Sequence, residues 1–203
     1  SNGLMEKRGG ALFDVDRESL VKRMKMYFDP SVEWAELEML GTGLTRDAAA
    51  FDAKKVRGKA TSLERFSDDQ VLRYAVRPFE DRWAYYSPVP GLWNRARPSL
   101  YASLAADNAY LASRPAGVAH PEGLPVMFTA ALGDNDALRG HAYYFPLMQS
   151  LAGAGQLALE SEKKEIANLS QPARDYLSAL GALTDDERRM AGLVWMHALA
   201  IGY

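Results

Sequence analysis

Between Arg73 and Arg97 the chain carries Arg73, Arg77, Arg82, Arg95 and Arg97 against only Glu80 and Asp81, interleaved with Tyr74, Phe79, Trp83, Tyr85, Tyr86 and Trp93. Cations set among aromatics suit a nucleic-acid surface. Guanidiniums neutralise phosphates, and arginine forks or amides such as Asn94 read base edges. Arginine outnumbers lysine here, and its planar fork favours bidentate contact with phosphate or guanine. The same pattern also describes two strands whose aromatics are core and whose arginines solvate the other face. In that reading Glu80 and Asp81 hold Arg77 or Arg82 in local ion pairs. Composition alone leaves both readings open.

Other chemistries find little support. The sequence has no Gly-rich turn after a first strand, no Asn-Pro-Pro-Tyr type motif, no Gly-Lys-Ser/Thr phosphate loop and no Gly-x-Ser-x-Gly elbow. It has no cysteine, which excludes disulfides, thiol nucleophiles and cysteine-built zinc sites and suits a reducing cytoplasm. His120, His141 and His197 lie far apart without ligand-like spacing, and Asp134-Asn135-Asp136 reads as turn chemistry. No apolar run approaches the ~18 residues of a membrane span. The formal net charge of -2 averages unlike parts: residues 45–114 hold 12 basic and 8 acidic groups, whereas residues 115–203 hold 6 and 10.

These residues need elements to position them. Asp16 is placed to cap a helix running to Phe28, with Leu20, Val21, Met24 and Phe28 on one face. A second short helix is expected over Val32–Met39, and residues 45–66 read as a short helix plus a loop. Strands are expected at Val71–Val76, Trp83–Tyr86, Ala109–Ala112, Pro125–Ala131 and His141–Leu147, with a turn over Arg77–Arg82. Pro98 suits the first turn of a helix through Ala106. Ser170 and Pro172 start another helix, stopped by Gly181. Thr184-Asp185-Asp186-Glu187 reads as a capping box before a last helix whose apolar face includes Met190, Leu193, Val194, His197, Ala198 and Ile201. The chain stops with that helix barely finished, which predicts a longer protein. The architecture implied is α+β: a mixed or antiparallel central sheet from residues 70–147, flanked by N-terminal and C-terminal helices, with the last helix on the sheet. Residues 1–66 form an N-terminal helical and linker segment, and residues 67–203 the α+β domain.

Tyr74-Ala75-Val76-Arg77-Pro78-Phe79-Glu80-Asp81-Arg82-Trp83-Ala84-Tyr85-Tyr86, followed by Asn94-Arg95-Ala96-Arg97-Pro98, resembles a known block. It is similar to the Arg-Pro-Phe-Asp-x-Arg-x-x-Tyr-Tyr … Arg-Pro-Arg signature of the C-terminal specificity region of type ISP restriction-modification enzymes and related phage-defence adenine methylases. Ala109–Arg114, Phe128–Asp134, Tyr143–Leu147 and Trp195–Tyr203 resemble later parts of that region, in the same order. Glu80 stands in place of the commoner Asp, and the arginines of Arg95-Ala96-Arg97-Pro98 are spaced differently. The resemblance implies a target-recognition domain without catalytic residues or a cofactor of its own. It would grip double-stranded DNA for a methyltransferase domain of the same polypeptide, whose full-length form uses S-adenosylmethionine. The resemblance carries Arg77, Arg82, Tyr85, Tyr86 and Arg97 into a DNA-binding set that the arginine block and its neighbouring loops extend to Arg73, Asn94, Arg95 and Arg114. Within it Asn94, Arg95 and Arg114 are favoured for DNA contact, and Arg77 and Arg82, with Phe79, for scaffold. The alternative is a scaffold domain whose C-terminal helices dock the methyltransferase or another defence subunit.

Overall fold

The computed structural model describes residues 1–104, 108–120, 122–150 and 165–201. Helix α1 spans Arg17–Phe28, and the Asp16 carboxylate accepts the Ser19 amide at 2.9 Å, so the expected cap is in place. Its buried face is Leu20, Met24, Tyr27 and Phe28. Helix α2 spans Trp34–Met39 and is closed by a capping box in which Glu33, rather than a hydroxyl residue, is the cap. Helix α3, Ala53–Leu63, fills half of the stretch read as helix plus loop. Asp52 caps it, and Ala53, Val56 and Ala60 are buried.

The strands are β1 (Phe13–Asp14), β2 (Val71–Arg77), β3 (Glu80–Tyr85), β4 (Tyr110–Ser113), β5 (Val126–Thr129), β6 (Leu132–Gly133), β7 (Tyr143–Pro146), β8 (Met148–Ser150) and β9 (Glu165–Ala167). The fold is α+β, as expected, but the strands of residues 70–147 divide between two sheets. One is mixed and four-stranded, in the order β1-β3-β2-β6, with β6 parallel to β2. The other is antiparallel, in the order β5-β4-β7. The stretch read as one strand over Pro125–Ala131 breaks because the Thr129 hydroxyl accepts the Ala131 amide at 3.0 Å, turning the chain from one sheet into the other. Gly133 is required at the junction: a Cβ there would lie 1.9 Å from the Tyr144 hydroxyl.

Helix α4 starts at Pro98 but ends at Ala102, short of the expected Ala106; residues 105–107 lie outside the described residues. Helix α5 (Gln171–Ala179) has the expected Ser170 cap, and Gly181 follows it at φ 66°. Helix α6 spans Glu187–Ile201. Its cap is Asp186, whose carboxylate accepts the Arg189 amide at 3.0 Å, two residues later than the Thr184 box implied. The last helix does not lie on the large sheet. Met190 and Ala191 are buried, and Ala191 joins Met148 of β8 and Ala167 of β9 in a separate small core. Trp195 packs against that core and against Phe145. His197, expected on an apolar face, is exposed and holds the Leu193 carbonyl at 2.9 Å.

The main core is aromatic and runs across residue 66, joining α1–α3 to both sheets. Tyr74 lies between Phe13 (5.6 Å) and Trp93 (5.4 Å), and Tyr85 between Phe28 (5.2 Å) and Phe66 (5.5 Å). The Trp93 indole donates to the Tyr85 carbonyl at 3.0 Å. Arg8 is 3% exposed, and its guanidinium donates to the carbonyls of Gly91 (2.6 and 3.1 Å) and Arg46 (2.5 Å), tying the N-terminal segment to two loops. Arg8→Ala strands those carbonyls and opens a hole. It is expected to cost about 3 kcal/mol, read as a lowered urea midpoint.

Candidate nucleic-acid interface

The arginine block is built on the β2–β3 hairpin. Its strands pair Arg73 with Trp83 and close with Arg77 opposite Glu80, after a bulge between Ala75 and Arg77. Pro78 and Phe79 make the turn. Neighbouring strands stop short of its end, since β1 pairs with Trp83 and Ala84, and β6 with Tyr74 and Ala75, leaving Val76–Glu80 unflanked by either. The tip therefore projects beyond the sheet. Phe79 has φ 65° and a side chain 99% exposed. A proline followed by a positive φ is the pattern of a type II turn, where glycine is usual. A bulky residue there costs on the order of 1 kcal/mol. Phe79 is not the scaffold residue expected from the sequence, because its ring touches no core.

The structure sorts the remaining candidates. Arg82 forms a two-pronged ion pair with Glu80 and lies over the Phe13 ring at 5.5 Å, so it buttresses the turn. Arg73 is exposed, 3.9 Å from Asp81, and lies over the Trp83 ring at 4.9 Å; Arg17 stands over the same ring at 5.5 Å. Arg77 is exposed with no side-chain hydrogen bond or ion pair among the described residues. Tyr85 and Tyr86 are buried, which corrects their assignment to DNA contact. The Tyr85 hydroxyl bonds the Gln70 side chain, and the Tyr86 ring stacks on Tyr101 at 3.8 Å. Burial pushes both hydroxyls up to about 12.

A second group gathers around the N-terminal segment. Met5 pairs through its backbone with Arg95, and the Asn94 amide contacts the Met5 sulfur at 3.1 Å. Arg95 is exposed and has no side-chain partner among the described residues. Arg97, at φ 50°, donates to the Gly3 carbonyl at 3.3 Å and so serves the fold. On the other side of the segment lies the loop after β6. There Asn135 Nδ2 is 2.8 Å from both Asp136 Oδ1 and His141 Nδ1. Asp136 and His141 are exposed, and His141 has φ 80°. Hydrogen bonds from His141 and Asn135 outweigh burial and lower the Asp136 carboxyl. Asn94 and Arg95 on one side of the N-terminal segment and Asp136 and His141 on the other offer both donors and acceptors, which base edges require and phosphates do not. Sequence reasoning read Asp136 as turn chemistry and His141 as a strand edge, since nothing local links them to Arg95. Arg114 stands apart at the end of β4, half-buried, with one guanidinium nitrogen buried and unpartnered.

Beneath the loop Asp134 accepts the Tyr74 hydroxyl at 2.6 Å, and its carbonyl accepts the Tyr144 hydroxyl at 3.0 Å. Burial lifts the Asp134 carboxyl above its ordinary 3.8 despite that hydrogen bond, and lifts Glu6 likewise. Burial, then the Asp134 charge, push the Tyr74 hydroxyl well up. A carboxyl with a raised folded-state pKa contributes its stability fully below the unfolded value and loses it as pH rises through the raised native value. The contribution of Asp134 and Glu6 should therefore fall as pH rises from about 3.8, while that of the lowered Asp136 carboxyl runs the other way. Asp134→Asn is expected to make that fall shallower, with Glu6 supplying the remainder, in thermal midpoints taken across the window.

Among the described residues no cluster of three His, Asp or Glu side chains is placed to hold a metal, and no helix is long and apolar enough to cross a membrane. A family model described as the Type ISP C-terminal specificity domain matches residues 1–189. A search among curated proteins finds no match. Solved structures that share the fold include two DNA complexes. The cryo-EM structure of a DrdV–DNA complex aligns with a TM-score of 0.56 and 16% identity, over 93% of this chain and 18% of the other. The ATP-dependent Type ISP restriction-modification enzyme LlaBIII bound to DNA aligns with a TM-score of 0.55 and 13% identity, over 90% of this chain and 12% of the other. The chain thus spans less than a fifth of either.

Proposed function

The chain belongs to the Type ISP C-terminal specificity domain family, and on that premise we propose that it is a DNA target-recognition domain, gripping duplex DNA for an adenine methyltransferase domain carried in a longer polypeptide. The observation that carries the reading is the sorting of the arginines. Arg8, Arg82 and Arg97 are spent on carbonyls or a carboxylate inside the fold, whereas Arg77 and Arg95 reach solvent without a protein partner among the described residues. Exposed guanidiniums of this kind supply the salt-sensitive grip on phosphates. The mixed polar group of Asn94, Arg95, Asp136 and His141 then supplies base readout. That DrdV and LlaBIII were solved with DNA supports the reading.

S-adenosylmethionine would be the cofactor of the longer protein. The residues here do not fit it: among the described residues the parallel pairing of β2 with β6 runs for two residues, and no Gly-rich turn leads from a strand into a helix. A restriction-modification or phage-defence setting in the cytoplasm follows from the same reading.

A docking role has its own support. Tyr176 of α5, and Leu180 and Leu183 just after that helix, are each more than half exposed. Such a face suits the methyltransferase domain or another defence subunit. The two roles separate in one experiment. Duplex-DNA affinity of the chain is measured across salt concentrations beside Arg77→Ala/Arg95→Ala. Binding that steepens with falling salt, with a slope shallower by about 2 in the double variant, supports the DNA role. A folded chain that fails to bind at low salt leaves the docking role alone.

A further inference from the structure

Phe79 combines two costs with no internal return. Its ring is 99% exposed, and its backbone sits at φ 65°, where glycine would rest without strain. Every neighbour nonetheless holds it out. Pro78 fixes the turn before it, and Arg77 and Glu80 close the register around it. Arg82 locks Glu80 and rests on Phe13, which itself packs on Tyr74 in the core. The chain from the core to the tip is thus rigid, and it ends in one apolar ring. An observed backbone outlier of this kind is a pointer to use outside the fold.

We propose that Phe79 is a DNA wedge, inserted by the β2–β3 tip between adjacent base pairs of the bound duplex. The inference rests on the DNA-binding reading above and adds a mechanism to it. A two-stranded ribbon is narrow enough to enter a DNA groove, and an apolar side chain at its end unstacks a base step and kinks or unwinds the helix. Arg77, exposed just before Pro78 and unpaired among the described residues, is placed to hold a phosphate beside the entry point. An open groove of about 540 Å³ lies against the ring, lined by Arg73, Asp81, Met127, Phe128 and Thr129. Phe128 is half-exposed there and offers a displaced base an aromatic surface. Specificity then arises in part from the deformability of the step that is opened, since pyrimidine–purine steps unstack most readily.

The test measures DNA unwinding separately from DNA binding. The 203-residue chain is bound to a relaxed closed-circular plasmid, topoisomerase I is added, and the change in linking number is read after deproteinisation, with occupancy followed by mobility shift. Phe79→Gly is the informative variant because it removes the ring and relieves the backbone, so its thermal midpoint should equal or exceed that of the parent. The expected result is a linking-number change with the parent chain that falls about fivefold or more at equal occupancy in Phe79→Gly, and is kept in Phe79→Trp. The salt dependence of binding should stay unchanged in both, because the ring neutralises no phosphate. Binding by the parent with no change in linking number, or an equal change in Phe79→Gly, overturns the wedge while leaving the DNA-binding reading intact; the ring would then belong to a contact with another domain. Failure of the folded parent to bind the plasmid at low salt overturns the DNA-binding reading itself, and the wedge with it.

Discussion

The hydrogen bond from the Tyr74 hydroxyl to Asp134 is the contact on which the arrangement turns. It spans the step from the mixed sheet to the loop that presents Asp136 and His141, and it leaves a carboxylate largely buried. Isolated, such a group would be costly; here its neighbours answer it. The Asp136 amide donates to its other oxygen at 2.7 Å, while the backbone of Asp134 is tied separately, its amide donating to the Ala75 carbonyl at 2.9 Å and its carbonyl accepting the Tyr144 hydroxyl from the second sheet. Gly133 precedes it because no side chain fits beside Tyr144. The N-terminal segment threads the same junction, with the Leu4 amide on Gly133 and the Asn135 amide on Leu4. Two sheets, the first residues of the chain and the recognition loop are thereby fixed relative to one another.

That rigidity gives the proposed DNA face its form. Binding constellations are accurate when the residues beneath them are locked. Here the locks are visible: Arg82 on Glu80 under the hairpin tip, Arg97 on Gly3 beside Arg95, and Asn135 on Asp136. Each presented side chain stands beside a partner that is itself tied. The net charge of the chain is no obstacle, because phosphate contact depends on where cations reach solvent and not on the sum.

Local chemistry was legible in the sequence, and long-range placement was not. The Asp16 and Ser170 caps, Pro98 at the start of α4 and Gly181 after α5 acted as read, because each works within a turn or two of chain. The strand over Val71–Val76 was likewise visible in its pattern. The division into two sheets was hidden, since a hydroxyl of Thr129 and the lack of a side chain at Gly133 decide it. β1, β8 and β9 were missed because two- and three-residue strands carry no periodicity. Within the site, the arginine block was found, but its members could not be sorted. Tyr85 and Tyr86 sit next to each other and are both core, which an alternating pattern cannot foresee, and Phe79 is outside because the hairpin outruns its neighbouring strands.

The central claim is that the hairpin tip and the segment around Arg95 form the DNA face. Amide hydrogen exchange of the chain, with and without duplex DNA at low salt, tests it most directly. The account predicts slowed exchange over residues 76–82, 93–97 and 134–141, with α5 and α6 unchanged. Protection confined to α5 and α6, with those three stretches unaffected, would contradict it.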